Sequence, residues 1–255
     1  MFSSAELQLF YKVANAPIQM FPYPHILVRD VFPADFYQKL RQNLPPRNAY
    51  KTLKALGRVS DGYPDTRVVL PLTPDDVAAL SEPYRSFWNE TAQWLLGGPF
   101  GQVVLQKFSP LLAQRFENPV AVKYHHEALV IQDYTNYSLG PHTDSPRKVI
   151  SFLFYLPADD TKPHLGTSMY LPKDPSFTCP GGPHHGFEGF NRLLTMPYVP
   201  NILFGFIKTP NAFHGVQPIS EPNIERALLL YDIYAENVPA APARPETKPY
   251  TQFSF

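Results

Sequence analysis

Two histidines and one aspartate stand in this chain at spacings that suit a metal ion. His142 and Asp144 are separated by a single residue in Gly-Pro-His-Thr-Asp, and His214 follows 70 positions after Asp144 in Asn-Ala-Phe-His-Gly-Val. In extended backbone, residues i and i+2 point the same way, so an imidazole nitrogen and a carboxylate oxygen can be offered to one point in space. Alone, His-x-Asp fits a polar turn with a capping Asp equally well, and a lone His beside an apolar strand fits a satisfied buried imidazole. Together, two histidines and one carboxylate from separate strands make the face of ligands associated with non-haem Fe(II). That face leaves positions open for substrate and O2.

Arg226 adds an anion site. It lies 12 positions after His214, across a loop that holds Pro218 and Pro222, and it opens the apolar run Arg-Ala-Leu-Leu-Leu-Tyr-Asp-Ile-Tyr-Ala. An antiparallel return would set its guanidinium beside the strand that carries His214. A buried Arg is costly without an anion, and its planar fork suits a carboxylate. An ion pair with Asp232, Glu225 or Glu221 competes with that reading. In Lys-Val-Ile-Ser-Phe-Leu-Phe-Tyr-Leu-Pro, Val149, Ser151, Leu153 and Tyr155 share one face, and Ile150, Phe152 and Phe154 share the other. The second face is suited to packing. The first carries a hydroxyl and a phenol, as a cavity wall would. Tyr134, eight residues before His142, ends the preceding strand and is a further candidate for the same cavity, against an ordinary strand-end tyrosine.

The elements that must hold these residues fall into two textures. From about residue 120 the chain shows six short apolar or alternating runs separated by turn-rich segments, which predicts an all-β sandwich or barrel. Several of these strands, residues 226–234 most clearly, are apolar on both faces and need cover outside. The first half reads as helices with Pro-rich joints. Phe32, Phe36 and Leu40 recur at four-residue spacing, Thr73 precedes Pro74 and Asp75–Asp76 as an N-cap, Pro83 divides the helical stretch that follows, and Pro110 sits where it could kink another. The expected architecture is therefore mainly β with flanking helices in a single domain over residues 1–255. Residues 1–119 form mainly helical support, 120–235 the β core, and 236–255 an extended tail.

Composition excludes several classes. The 22 basic and 22 acidic residues balance, so no electrostatic argument favours nucleic acid or an anionic membrane as a partner. Cys179 is the single cysteine, so no intrachain disulfide forms and a reducing, cytoplasmic location is expected. The N-terminal residues lack a signal-peptide pattern, and no apolar run approaches a membrane span. Thirty prolines against 13 glycines imply rigid loops and short elements. No Ser/His/Asp triad or acid–base carboxylate pair stands out. Cys179, His184 and His185 gather in one segment without the paired spacing of structural zinc, and read as a Pro/Gly-rich loop. That loop lies in the long connection over 157–200, where substrate-selecting segments would sit. His125 and His126 have no partner at ligand spacing.

The ordered set Pro-His-Thr-Asp, the apolar strand after it, Asn-Ala-Phe-His-Gly-Val and an Arg twelve residues later resembles the Fe(II)/2-oxoglutarate-dependent oxygenases, particularly their prolyl 4-hydroxylase-like branch. The resemblance covers about residues 120 to 235, and the segment over residues 21–45 is similar to the one that precedes the catalytic core in bacterial members. It implies a double-stranded β-helix (jelly-roll) core with His142, Asp144 and His214 on iron. It implies that Arg226 binds the distal carboxylate of the cosubstrate 2-oxoglutarate, that Tyr155 assists, and that Tyr134 stands at the pocket edge. The activity implied is O2-dependent hydroxylation of an unactivated C–H, releasing succinate and CO2. The substrate is a prolyl or other protein residue, or a small molecule. Collagen-type prolyl hydroxylases carry Lys at the anchoring position, so Arg226 departs from a collagen-like pattern. The rival reading from another class is a cupin-like jelly-roll module that keeps a metal without turnover.

Overall fold

The structure, a computed structural model, describes residues 1–59 and 63–236. The extended tail expected over 236–255 lies, beyond Glu236, outside the described residues. Among the described residues six α-helices occupy the first half: α1 (Ser4–Asn15), α2 (Ala34–Gln42), α3 (Pro74–Ala78), α4 (Tyr84–Leu96), α5 (Pro99–Lys107) and α6 (Ser109–Arg115). The strands are β1 (His25–Arg29), β2 (Lys51–Thr52), β3 (Arg67–Pro71), β4 (Tyr124–Tyr134), β5 (Leu139–His142), β6 (Lys148–Tyr155), β7 (Ser168–Pro172), β8 (Phe190–Thr195), β9 (Ile202–Ile207), β10 (His214–Val216) and β11 (Glu225–Ala235). Local chemistry explains several boundaries. Thr73 caps α3 by accepting a hydrogen bond from the Asp76 amide at 3.2 Å, with Pro74 at the first helical position. Pro110 does not kink a continuous helix. It falls in the first turn of α6, where its missing N–H has no partner to lose, so α5 stops at Lys107 and a new helix begins.

The strands form two antiparallel sheets. The larger has the order β1-β9-β6-β11-β4-β3-β2, and the smaller β5-β10-β7-β8. Three strands of the larger sheet, β1, β2 and β3, come from the half expected to be mainly helical. Ladder pairing completes them: β1 lies along β9 from His25↔Phe206 to Arg29↔Ile202, and β3 along β4 from Arg67↔Asp133 to Pro71↔Leu129. Two further strands, β5 and β8, add to the six expected after residue 120.

The larger sheet is buried on both faces, as its apolar strands require. On one face Val130, Phe152, Phe154, Leu229, Tyr231 and Ile233 join a cluster with Leu9, Leu40, Trp88, Leu95, Phe100 and Val104 of the helices. Phe100 is central to that layer, its ring 4.9 Å from Tyr231 between centroids. Gly101 lets α5 approach this closely, since a Cβ there would meet the His126 ring at 2.0 Å. On the other face Val69, Ile131, Tyr155, Phe204, Phe206 and Leu228 face the smaller sheet and cluster with its Met169 and Val216. One residue departs from the expected alternation. The register of β6 against β11 shifts so that Tyr234 pairs with Lys148, and Val149 turns to the helix side, not to the face shared by Ser151, Leu153 and Tyr155. Among the described residues no helix is long and apolar enough to cross a membrane.

Candidate metal centre and its cavity

The smaller sheet brings the three ligand candidates together. His142 ends β5 and His214 begins β10, and the two are paired directly across the ladder with ring centroids 4.3 Å apart. Asp144 follows His142 by two residues, its Oδ1 3.8 Å from His214 Nε2. One potential donor atom from each of His142, Asp144 and His214 lies within 4.8 Å of the others, and all three residues are buried. Each imidazole is oriented by its own backbone. His142 Nδ1 lies 3.0 Å from the Gly140 carbonyl and His214 Nδ1 3.0 Å from the Ala212 carbonyl. A proton held there for the carbonyl leaves Nε2 as a lone pair toward the common point, as metal-ligating histidines require. Burial, with the neighbouring imidazole adding to it at His142, pushes both rings below the usual histidine range and keeps them neutral.

Asp144 is held as an anion. Burial opposes its charge, but the Lys148 ammonium, helped by the Ser151 hydrogen bond, keeps its carboxyl well below the usual range. Ser151 donates to Asp144 Oδ2 at 2.8 Å, and Lys148 Nζ lies 3.5 Å from Oδ1. Two neutral imidazole nitrogens and one carboxylate oxygen, all from buried residues on one side of a cavity, fit a divalent ion of the iron type.

The cavity measures about 330 Å³ and runs between the two sheets. Leu129, Ile131, Leu153 and Phe206 supply its apolar walls, and its ends are charged. Arg226 and Asp232 lie on the same face of β11, six residues and so about 20 Å apart. At the Asp232 end, Lys148 bonds Oδ2 at 2.8 Å, while Oδ1 meets no hydrogen-bond donor among the described residues. Burial pushes the Asp232 carboxyl up to about 6.

The Arg226 end differs from expectation in its partner. The guanidinium is fully buried and pairs not with Asp232, Glu225 or Glu221 but with Asp133, Nη1 to Oδ2 at 2.6 Å. The register dictates this, because Asp133 is the residue opposite Arg226 on β4. Asp133 in turn stands opposite Arg67 on β3, which grips it through Nε and Nη2 at 2.6 and 2.8 Å. Arg226 also donates from Nε to the Leu165 carbonyl and from Nη2 to Thr167 Oγ1 at 3.4 Å.

The two tyrosines fare differently. Tyr155 is buried beside Arg226, its ring centroid 5.7 Å from the guanidinium carbon, and its hydroxyl accepts from the Thr167 amide at 3.0 Å. Tyr134 is not brought to the cavity edge. It follows Asp133, so strand alternation turns it to the opposite face, where it donates to Gln132 Oε1 at 2.6 Å and stacks under Arg47 at 4.1 Å. Sequence reasoning missed Asp133, Arg67 and Lys148, and it read His184 as part of a Pro/Gly-rich loop without tying it to the metal candidates. Asp133 carried a usable signal, a charge two residues beyond Leu129 and Ile131 on the strand face that also carries Glu127. His184 carried none. Its loop folds back over β5, with the His185 amide bonded to the Pro141 carbonyl at 2.9 Å, and sets the His184 ring 4.6 Å from that of His142.

No family model matches the chain, and no curated protein is significantly similar to it. Solved structures are similar to it. A prolyl-4-hydroxylase of Pseudomonas putida superposes with a TM-score of 0.51 at 14% identity, over 90% of this chain and 98% of that one. A prolyl 4-hydroxylase structure from Phytophthora capsici gives 0.54 at 15% identity, over 94% of this chain and 68% of that one. At such identities the likeness is one of fold, and it agrees with the sheet order above: the chain is a double-stranded β-helix, a jelly roll of two antiparallel sheets with helices packed outside the larger.

Proposed function

We propose that the protein is an Fe(II)- and 2-oxoglutarate-dependent oxygenase that hydroxylates an unactivated C–H bond. The observation that carries the reading is the buried group His142, Asp144 and His214, each histidine tethered through Nδ1, opening on a cavity that also contains a buried arginine. Iron with 2-oxoglutarate and O2 supplies an oxidant strong enough to break a C–H bond, at the expense of decarboxylating the 2-oxo acid to succinate. The chain's own residues do the rest. His142, Asp144 and His214 would hold the ion. Ser151 fixes the Asp144 carboxylate. Arg226, at the other end of the cavity, draws in and orients the distal carboxylate of the cosubstrate. Leu129, Ile131, Leu153 and Phe206 keep the intervening space dry, which protects the oxidant from water.

The substrate is a side chain of a protein or peptide, prolyl among them, or a free small molecule. Anaerobic addition of Fe(II) and then 2-oxoglutarate to the full chain should produce a visible metal-to-ligand charge-transfer band. Folded protein that binds iron yet gives no such band would refute the oxygenase reading and leave a metal-holding jelly roll without turnover. A succinate-release screen over peptides and metabolites then separates the two substrate classes.

A further inference from the structure

The row Arg67–Asp133–Arg226 crosses three neighbouring strands at one level and holds two guanidinium groups against one carboxylate. The side chains of Asp133 and Arg226 are wholly buried, and that of Arg67 is 13% exposed. Among the described residues one positive charge is therefore unmatched in a desolvated place, which is costly until an anion arrives. The other acids along the cavity do not supply it. Glu127 pairs with Arg58, Asp144 and Asp232 share Lys148, and Asp232 stands about 20 Å along β11 from Arg226.

The unmatched donors are not evenly shared. Each nitrogen of Arg226 already holds one partner, Leu165, Asp133 and Thr167, which leaves one N–H on Nη1 and one on Nη2. Arg67 spends Nε and Nη2 on Asp133, and among the described residues Nη1 has no hydrogen-bond acceptor. Its guanidinium carbon lies 4.3 Å from the centre of the Tyr137 ring, and Arg67 lines the same cavity as Arg226 and the three ligand candidates. A fixed fork with one edge turned to a cavity suits a planar carboxylate.

We propose that Arg67 and Arg226, bridged by Asp133, form a two-arginine clamp for the distal carboxylate of 2-oxoglutarate, with Arg67 a cosubstrate-binding residue in its own right. This rests on the oxygenase reading above. Asp133 keeps both forks in plane and lowers the resting charge of the clamp to that of a single cation, matched to a single carboxylate.

The test compares two 2-oxo acids on the Fe(II)-loaded full chain without O2, following the charge-transfer band: 2-oxoglutarate, and pyruvate, which lacks the distal carboxylate. Arg67→Met should raise the dissociation constant for 2-oxoglutarate by about tenfold or more, leaving pyruvate and Fe(II) binding as in the wild type. Asp133 keeps Arg226 as a partner in that variant. Arg67→Lys, which retains the charge without the fork, should fall between the two, and it carries the test if Arg67→Met does not fold. Unchanged 2-oxoglutarate affinity in the folded variants, or equal losses for both acids, would overturn the clamp. A wild-type protein that gives no band with either acid overturns the oxygenase reading beneath it, a distinct result.

Discussion

Strand β11 carries two chemistries on one backbone. Toward the helices it presents Ala227, Leu229, Tyr231 and Ile233, and toward the smaller sheet Arg226, Leu228, Leu230, Asp232 and Tyr234. Strand β6 divides in the same way, with Ile150, Phe152 and Phe154 outward and Ser151, Leu153 and Tyr155 inward. Both faces are buried, so burial alone does not distinguish them. What differs is the remedy for burial. On these two strands the helix face has almost none to make, because its groups are apolar apart from the Tyr231 hydroxyl, which is matched to His126 Nδ1 of β4 at 2.5 Å. Among the described residues the cavity face buries charges and answers each with a partner, save the surplus positive charge at Arg67 and Arg226 and the bare Asp232 Oδ1. A sheet buried on both sides thus shows its working face by where its charges fail to cancel.

Substitutions can break that contrast or sharpen it. The largest effect belongs to the helix face: Leu229→Asp puts an unpaired carboxylate between β11 and the helices and should cost about 4 kcal/mol or more, read as loss of the folded baseline in urea. Asp144→Ala should do the opposite, abolishing Fe(II) binding and succinate release while the urea midpoint stays near wild type. A midpoint that collapses with it would mean that the cavity face is structural after all. Arg226→Ala comes next, with 2-oxoglutarate binding weakened by about tenfold to a hundredfold and iron binding retained, because Asp133 keeps Arg67 as its counter-ion. Unaltered cosubstrate affinity would remove Arg226 from the anchor. The smallest effect is that of Ser151→Ala, which frees the Asp144 carboxylate to rotate. About a tenfold loss in metal affinity is expected at unchanged stability, measured by competition with a chelator.

Legibility followed distance along the chain. His142 and Asp144 could be read because two residues of extended backbone fix their relation, and His214 and Arg226 because each starts a recognisable apolar or polar strand. The alternation that assigned Ser151 and Tyr155 to one face held until the register shift at Lys148 and Val149, a local event with no mark in residue type. Arg67 and Asp133 escaped because what joins them is a ladder between strands 66 residues apart. Strand β1 escaped for the same reason, since its five residues become a strand by lying along β9, on the far side of the chain. Tyr134 was misplaced by a single step of the alternation, which is enough to carry a side chain through the sheet.

The direct pairing of His142 with His214 also bears on how the molecule assembles. These residues are 72 positions apart, and the ladder that joins their strands is short and irregular, His214↔His142 followed by a shift to Val216↔Leu139. Closing so long a segment costs chain entropy well before a three-residue strand returns any hydrogen bonds, so this edge of the smaller sheet should be among the last to lock during folding. A dication shared by the two strands would fasten that edge as a staple fastens a seam, and cofactor loading would then be a proofreading step that rewards only the correctly threaded chain. Amide exchange in Leu139–His142 and His214–Val216 should accordingly slow on adding Fe(II) or Mn(II), while the amides of β4 and β11 exchange as before.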